Sequence, residues 1–130
     1  MKKLKGKINV KVEKTSDGFS AYAENYDVFT TASNSTELYS NLIEALNLLL
    51  EDAEQFVTKN ELQLQFDLKQ FFQHYSVLNA VVLAERIGMN PTLLSQYVRG
   101  KKVPSKKQLS RIMSGINEIG KELSDLNFTD

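Results

Sequence analysis

Seven basic residues lie between Arg86 and Asn117 with no Asp or Glu among them: Arg86, Arg99, Lys101, Lys102, Lys106, Lys107 and Arg111. The chain has 130 residues, and its 16 Lys and Arg equal its 16 Asp and Glu. A run this one-sided in a neutral chain is a local electrostatic footprint of the kind that suits phosphate groups. Within it stand Asn90, Pro91, Thr92, Ser95, Gln96 and Arg99 at helical spacing. Gln and Arg side chains suit base edges, and Lys101, Lys102 and Lys106 suit the backbone of a nucleic acid. On charge alone, a solvated basic face with no partner is the competing reading.

Other chemistries have less to work with. There is no Cys, which removes disulfide frameworks, Cys-based zinc sites and thiol nucleophiles. The single His, His74, lies between Phe72 and Tyr75 in a helical segment, which suits packing better than a triad or a metal pair. No Gly-rich phosphate loop occurs. No metal and no cofactor is expected.

The elements that must position these residues follow from periodicity. Ile8, Val10 and Val12 alternate with polar residues, and Phe19, Ala21 and Ala23 do the same across the Asp17-Gly18 turn, so a hairpin is predicted. A turn at 24–27 leads to a third strand over 28–32. Asn34 followed three residues later by Glu37 has capping-box spacing and predicts a helix from near Ser35. Its apolar stripe is Leu38, Leu42, Ile43, Ala45, Leu46, Leu49 and Leu50. Leu62, Leu64 and Phe66 alternate with Glu61, Gln63, Gln65 and Asp67 in a fourth strand. The sheet face away from the helix carries Asn9, Lys11, Ser20 and Tyr22, and is either solvated or a partner surface.

From residue 67 the pattern becomes helical. Asp67, Asn79, Asn90-Pro91 and Ser105 each stand where a helix start is expected, and Gly88 and Gly100 where one should stop. Leu94 and Tyr97 anchor the third of these helices, leaving Pro91, Thr92, Ser95, Gln96 and Arg99 outward. The last helix carries Leu109, Ile112, Met113, Ile116, Ile119 and Leu123 on one face. Two domains are read, 1–66 and 67–130. Residues 1–66 hold seven Lys and ten acids, a net of −3, and residues 67–130 a net of +3.

The segment from Leu83 to Ser105, with Leu83-Ala84, Gly88, Ser95, Gly100-Lys101 and Pro104-Ser105 in that order, resembles the helix-turn-helix of the Cro/repressor (XRE) family. That resemblance implies that Asn90 to Arg99 is the recognition helix and that Gln96 occupies a base-contacting position. The first half resembles the HicB antitoxin family, on Asp17-Gly18-Phe19-Ser20-Ala21-Tyr22 and the strand, capped helix and Leu-rich run that follow. The chain has Glu24-Asn25-Tyr26-Asp27 where that family often has a Pro-Gly-Cys type turn. The fold implied is α+β: a small, mostly antiparallel sheet with one packed helix, partial ribonuclease-H-like, followed by an all-α helix-turn-helix domain.

The implied function is that of an antitoxin in a type II toxin–antitoxin system. It would neutralise a HicA-like RNase toxin and repress its own operon as a homodimer or higher oligomer on palindromic half-sites. Ribonuclease-H chemistry itself needs clustered carboxylates around metal ions. The first strand offers only Glu13, and Asp17, Glu24 and Asp27 are scattered near turns, so no enzymatic activity is expected. Tyr22, Tyr26 and Phe29 beside Asp27 are the candidate anchors for a basic partner. A cytoplasmic location with no membrane association is expected, because Lys7, Asn9 and Lys11 interrupt the only N-terminal apolar run. Two other readings stay open. One is a stand-alone helix-turn-helix regulator whose first domain dimerises or senses a ligand. The other is a protein-interaction scaffold with no DNA role.

Overall fold

The structure is a computed structural model and describes residues 1–128. The chain divides into two compact units, Met1–His74 and Tyr75–Asp130. Among the described residues the class is α+β, with a mixed four-stranded sheet and five α-helices.

The first unit contains β1 (Lys2–Lys3), β2 (Ile8–Lys14), β3 (Phe19–Ala23), β4 (Val28–Ala32), α1 (Ser35–Leu50), β5 (Gln55–Phe56), β6 (Leu62–Phe66) and α2 (Leu68–His74). The main sheet has the order β4-β3-β2-β6, with β6 parallel to β2 and the other two pairings antiparallel. Helix α1 lies in the connection from β4 to β6 that lets β6 return parallel to β2. Its buried row is Leu38, Leu42, Leu46 and Leu50, one residue per helical turn. That row meets Ile8, Val10, Val12, Ala21, Ala23 and Ala32 in one core cluster. The alanines of β3 and β4 are small enough for a helix to lie close above them. Leu49, assigned above to the apolar stripe, is 51% exposed, so the stripe is narrower than the leucine count implies.

Three local readings are sharpened. Asn34 caps α1 by accepting the Glu37 N–H at 2.9 Å, but the Glu37 carboxylate accepts from the Ser33 hydroxyl instead of completing the box. Gly18 is required by crowding: a Cβ there would sit 2.0 Å from the Ala32 carbonyl oxygen. Glu61 is not on the polar side of the fourth strand. It is buried, because it ends a 3-10 turn (Lys59–Glu61) and folds back on Thr58.

Helix α2 continues the first unit past residue 66. Gln70 accepts the Lys14 N–H at 2.9 Å and donates to the Lys14 carbonyl, while Phe66 and Phe71 meet edge-on at 5.5 Å. The short parallel pair β1–β5 has no counterpart in the sequence reading.

The second unit contains α3 (Ala80–Ile87), α4 (Pro91–Val98) and α5 (Lys106–Ser124). Each begins at the capping residue expected: Asn79, Asn90 and Ser105 accept backbone N–H groups of their own first turns. Gly88 and Gly100 have φ of 71° and 75°, the left-handed conformation that stops a helix cheaply only at glycine. Leu83, Ala84, Met89, Leu94, Tyr97 and Ile112 are buried within this unit. Among the described residues no helix is long and apolar enough to cross a membrane.

Candidate nucleic-acid interface

Helix α4 is short, so its orientation depends on its inner row and its ends. Leu94 and Tyr97 are buried at a step of three. At the N-terminus, the Asn90 side chain accepts the Thr92 and Leu93 N–H groups at 2.8 and 3.4 Å, and Pro91 fills the first helical position. At the C-terminus, the Gln96 carbonyl accepts the Lys101 N–H at 2.9 Å and the Lys102 N–H at 3.3 Å. The loop bearing the two lysines is thereby held to the end of the helix.

The inner row leaves a defined outer row. Asn90, Pro91, Thr92 and Arg99 are exposed, and Ser95 and Gln96 are half-buried. Lys101, Lys102 and Lys106 are exposed. Among the described residues, the side chains of Thr92, Gln96, Lys101, Lys102 and Lys106 make no hydrogen bond or ion pair within the chain. Gln96 is half-buried and the hydrogen-bonding groups of its side chain are unspent, as a base-reading side chain requires.

The basic run is less uniform than its spacing suggests. Arg86 forms an ion pair with Glu122. Arg111 donates to the carbonyls of Ile87 and Gly88 at 3.0 and 3.1 Å and to Gln108 at 3.2 Å. Both arginines are committed inside the unit, which reduces the open footprint to Arg99, Lys101, Lys102, Lys106 and Lys107. Arg99 makes one long bond, from Nε to the Ser95 carbonyl at 3.4 Å. Neither role was legible from charge, because both partners lie more than twenty positions away along the chain.

In the first unit, strand register puts Lys11, Tyr22 and Phe29 side by side on the sheet face away from α1. Phe29 is 64% exposed. The Tyr22 hydroxyl donates to the Asp27 carboxylate at 3.3 Å. Partial burial, then the charge and hydrogen bond of Asp27 and the charge of Glu24, raise the Tyr22 hydroxyl above its ordinary pKa. Tyr26 is not part of this patch and packs against the core cluster. Of the four candidate partner residues, the fold brings Tyr22, Asp27 and Phe29 together.

No family model matches the chain, and searches of curated proteins and of solved structures return no match. Among the described residues no group of three or more His, Cys, Asp or Glu side chains is placed to hold a metal ion.

Proposed function

We propose that this chain is a HicB-like antitoxin and autorepressor, with the second unit binding operator DNA and the first unit covering an RNase toxin. The observation that carries the DNA half is the outer row of α4. The Thr92 and Gln96 side chains are unspent, the inner row is buried, and a loop with two unpaired lysines is fastened to its end. In the proposed complex α4 lies in the major groove. Gln96 meets base edges, Thr92 and Ser95 flank it, and Arg99, Lys101, Lys102 and Lys106 meet phosphates. One such helix reads few bases. We therefore propose a two-fold dimer on palindromic half-sites about 34 Å apart, associating through α5, where Ile116 and Ile119 are half-buried and Leu123 is exposed.

The strand order β4-β3-β2-β6, with α1 following β4 in the chain and β6 parallel to β2, supports a partial ribonuclease-H-like reading of the first unit. In that reading the unit acts by occlusion. Tyr22 and Phe29 supply aromatic area, and Glu24 and Asp27 supply charge for a basic, RNA-cleaving partner of the HicA type.

Two assays test the proposal with the full-length chain. In titrations of labelled duplex DNA, binding is expected to weaken steeply with added salt. Absence of binding at low salt would refute the DNA half. Co-expression with a HicA-like RNase is expected to restore growth, and Phe29→Glu to abolish that rescue without loss of operator binding. Rescue by Phe29→Glu equal to wild type would remove the sheet face from the proposal.

A further inference from the structure

We propose that Arg111 is a positioning residue for the recognition helix: from α5 it clamps the chain that joins α3 to α4. This inference rests on the DNA-binding reading above. Helix α3 ends at Ile87, and its final carbonyls need partners. Those of Ala84 and Glu85 accept the Met89 and Gly88 N–H groups at 2.9 and 3.3 Å. Arg111 Nη2 donates to two carbonyls further along the turn, Ile87 at 3.0 Å and Gly88 at 3.1 Å. These carbonyls form the negative end of the helix, so the guanidinium charge is directed into the turn.

A second contact holds the same residue from its other side. Gly115 lies one helical turn after Arg111 on α5 and is buried. A Cβ at Gly115 would stand 2.3 Å from Ile87 Cγ2. Helix α5 therefore grips Ile87 twice, by its carbonyl through Arg111 and by its side chain across Gly115. Only Met89, itself buried, separates the clamped Gly88 from Asn90, the cap of α4. The direction in which α4 leaves the turn is set within three residues, Ile87 to Met89, of which α5 holds the first two. A guanidinium can serve two carbonyls and Gln108 together because its donors are fixed in a plane, and an ammonium cannot reproduce that fork.

The rival role for Arg111 is the one its place in the basic run suggests, a phosphate contact. The two roles respond differently to Arg111→Lys, which keeps the charge and loses the fork. The experiment uses full-length wild type, Arg111→Lys, Arg111→Ala and, as a charge control, Lys101→Ala. The probes are a duplex selected by wild type from a random-sequence library and an unrelated duplex of equal length. Anisotropy is measured over a range of salt, and amide hydrogen exchange is followed at Gly88 and Met89, the two hydrogen-bonded amides of the turn.

Arg111→Lys and Arg111→Ala should both lose about tenfold in preference for the selected duplex. Their salt slope should be unchanged, and the Gly88 and Met89 amides, bonded to Glu85 and Ala84, should exchange faster. Lys101→Ala should weaken both duplexes, lower the slope by about 0.9 and leave exchange as in wild type. Wild-type preference and exchange in Arg111→Lys would overturn the clamp and make Arg111 a phosphate contact. That variant also serves if Arg111→Ala fails to fold. If wild type selects no sequence, the DNA reading falls, and hydrogen exchange alone decides whether Arg111 holds the turn.

Discussion

The two units share local helix caps but differ in how far their other side-chain bonds reach along the chain. In the first, side chains reach across long stretches of chain. Asn47 brackets Val57, ten positions on, accepting its N–H at 2.7 Å and donating to its carbonyl at 3.2 Å. Gln70 brackets Lys14 at a separation of 56. Glu61 closes a capping box on Thr58 and faces Lys3 at 3.8 Å. In the second unit the side-chain bonds to backbone are mostly local, from Asn79, Asn90 and Ser105 to their own first turns. Arg111 is the long-range bond to backbone there among the described residues. The difference has a functional side. The first unit spends several polar side chains on cross-links, whereas the second, fastened by caps, leaves Thr92 and Gln96 unspent on α4.

The comparison can be broken most forcefully in the cores. Leu42, on the inner row of α1, is fully buried, and Leu42→Ala should cost about 2–5 kcal/mol in urea unfolding. Leu94 plays the same part in the second unit, and Leu94→Ala should cost a similar amount. A loss below about 0.5 kcal/mol in either variant would show that the helix is not anchored as described.

The cross-links make the next prediction. The Thr58 N–H lowers the Glu61 pKa against the opposing effect of burial, with help from the Thr58 hydroxyl, Lys3 and Lys7. A depressed carboxylate contributes stability that is fully present above its unfolded value, near 4.5, and is lost as pH falls through its folded value. Glu61→Gln should flatten the fall in stability below that pH. An unchanged acid limb would mean that Glu61 does not carry it.

A smaller effect is expected where the second unit relies on local caps. Asn90→Ala should cost about 1 kcal/mol by releasing the first turn of α4. Gly, which tolerates the capping position, should cost only a few tenths of a kcal/mol. Equal losses for Ala and Gly would place the effect elsewhere. Smallest of all, Lys101→Ala with Lys102→Ala should change stability by less than about 0.5 kcal/mol. The same pair should reduce the salt slope of DNA binding by about 1.8.

The same contrast explains what the sequence made legible. Caps act within three residues, so Asn34, Asn79, Asn90 and Ser105 announced their helices, while alternation announced β2, β3 and β6 and β-branched and aromatic residues announced β4. The outer row of α4 followed from the inward spacing of Leu94 and Tyr97. What could not be read depends on partners far along the chain. Lys2–Lys3 has no period, and it becomes a strand only by pairing with Gln55–Phe56. Glu61 looked like a surface strand residue until its turn was known. Arg111 looked like one more surface charge. A glycine inside α5, at position 115, was the available signal that another helix comes close.

The central claim is that the outer row of α4 reads base edges, and Gln96 tests it most directly. The measurement is the affinity of wild type and Gln96→Ala for a selected duplex and for its scrambled counterpart, over a range of salt. The account predicts that wild type prefers the selected duplex and that Gln96→Ala loses about 1–3 kcal/mol of that preference with its salt slope intact. Retention of the full preference by Gln96→Ala, or no salt-dependent binding by wild type, would contradict it.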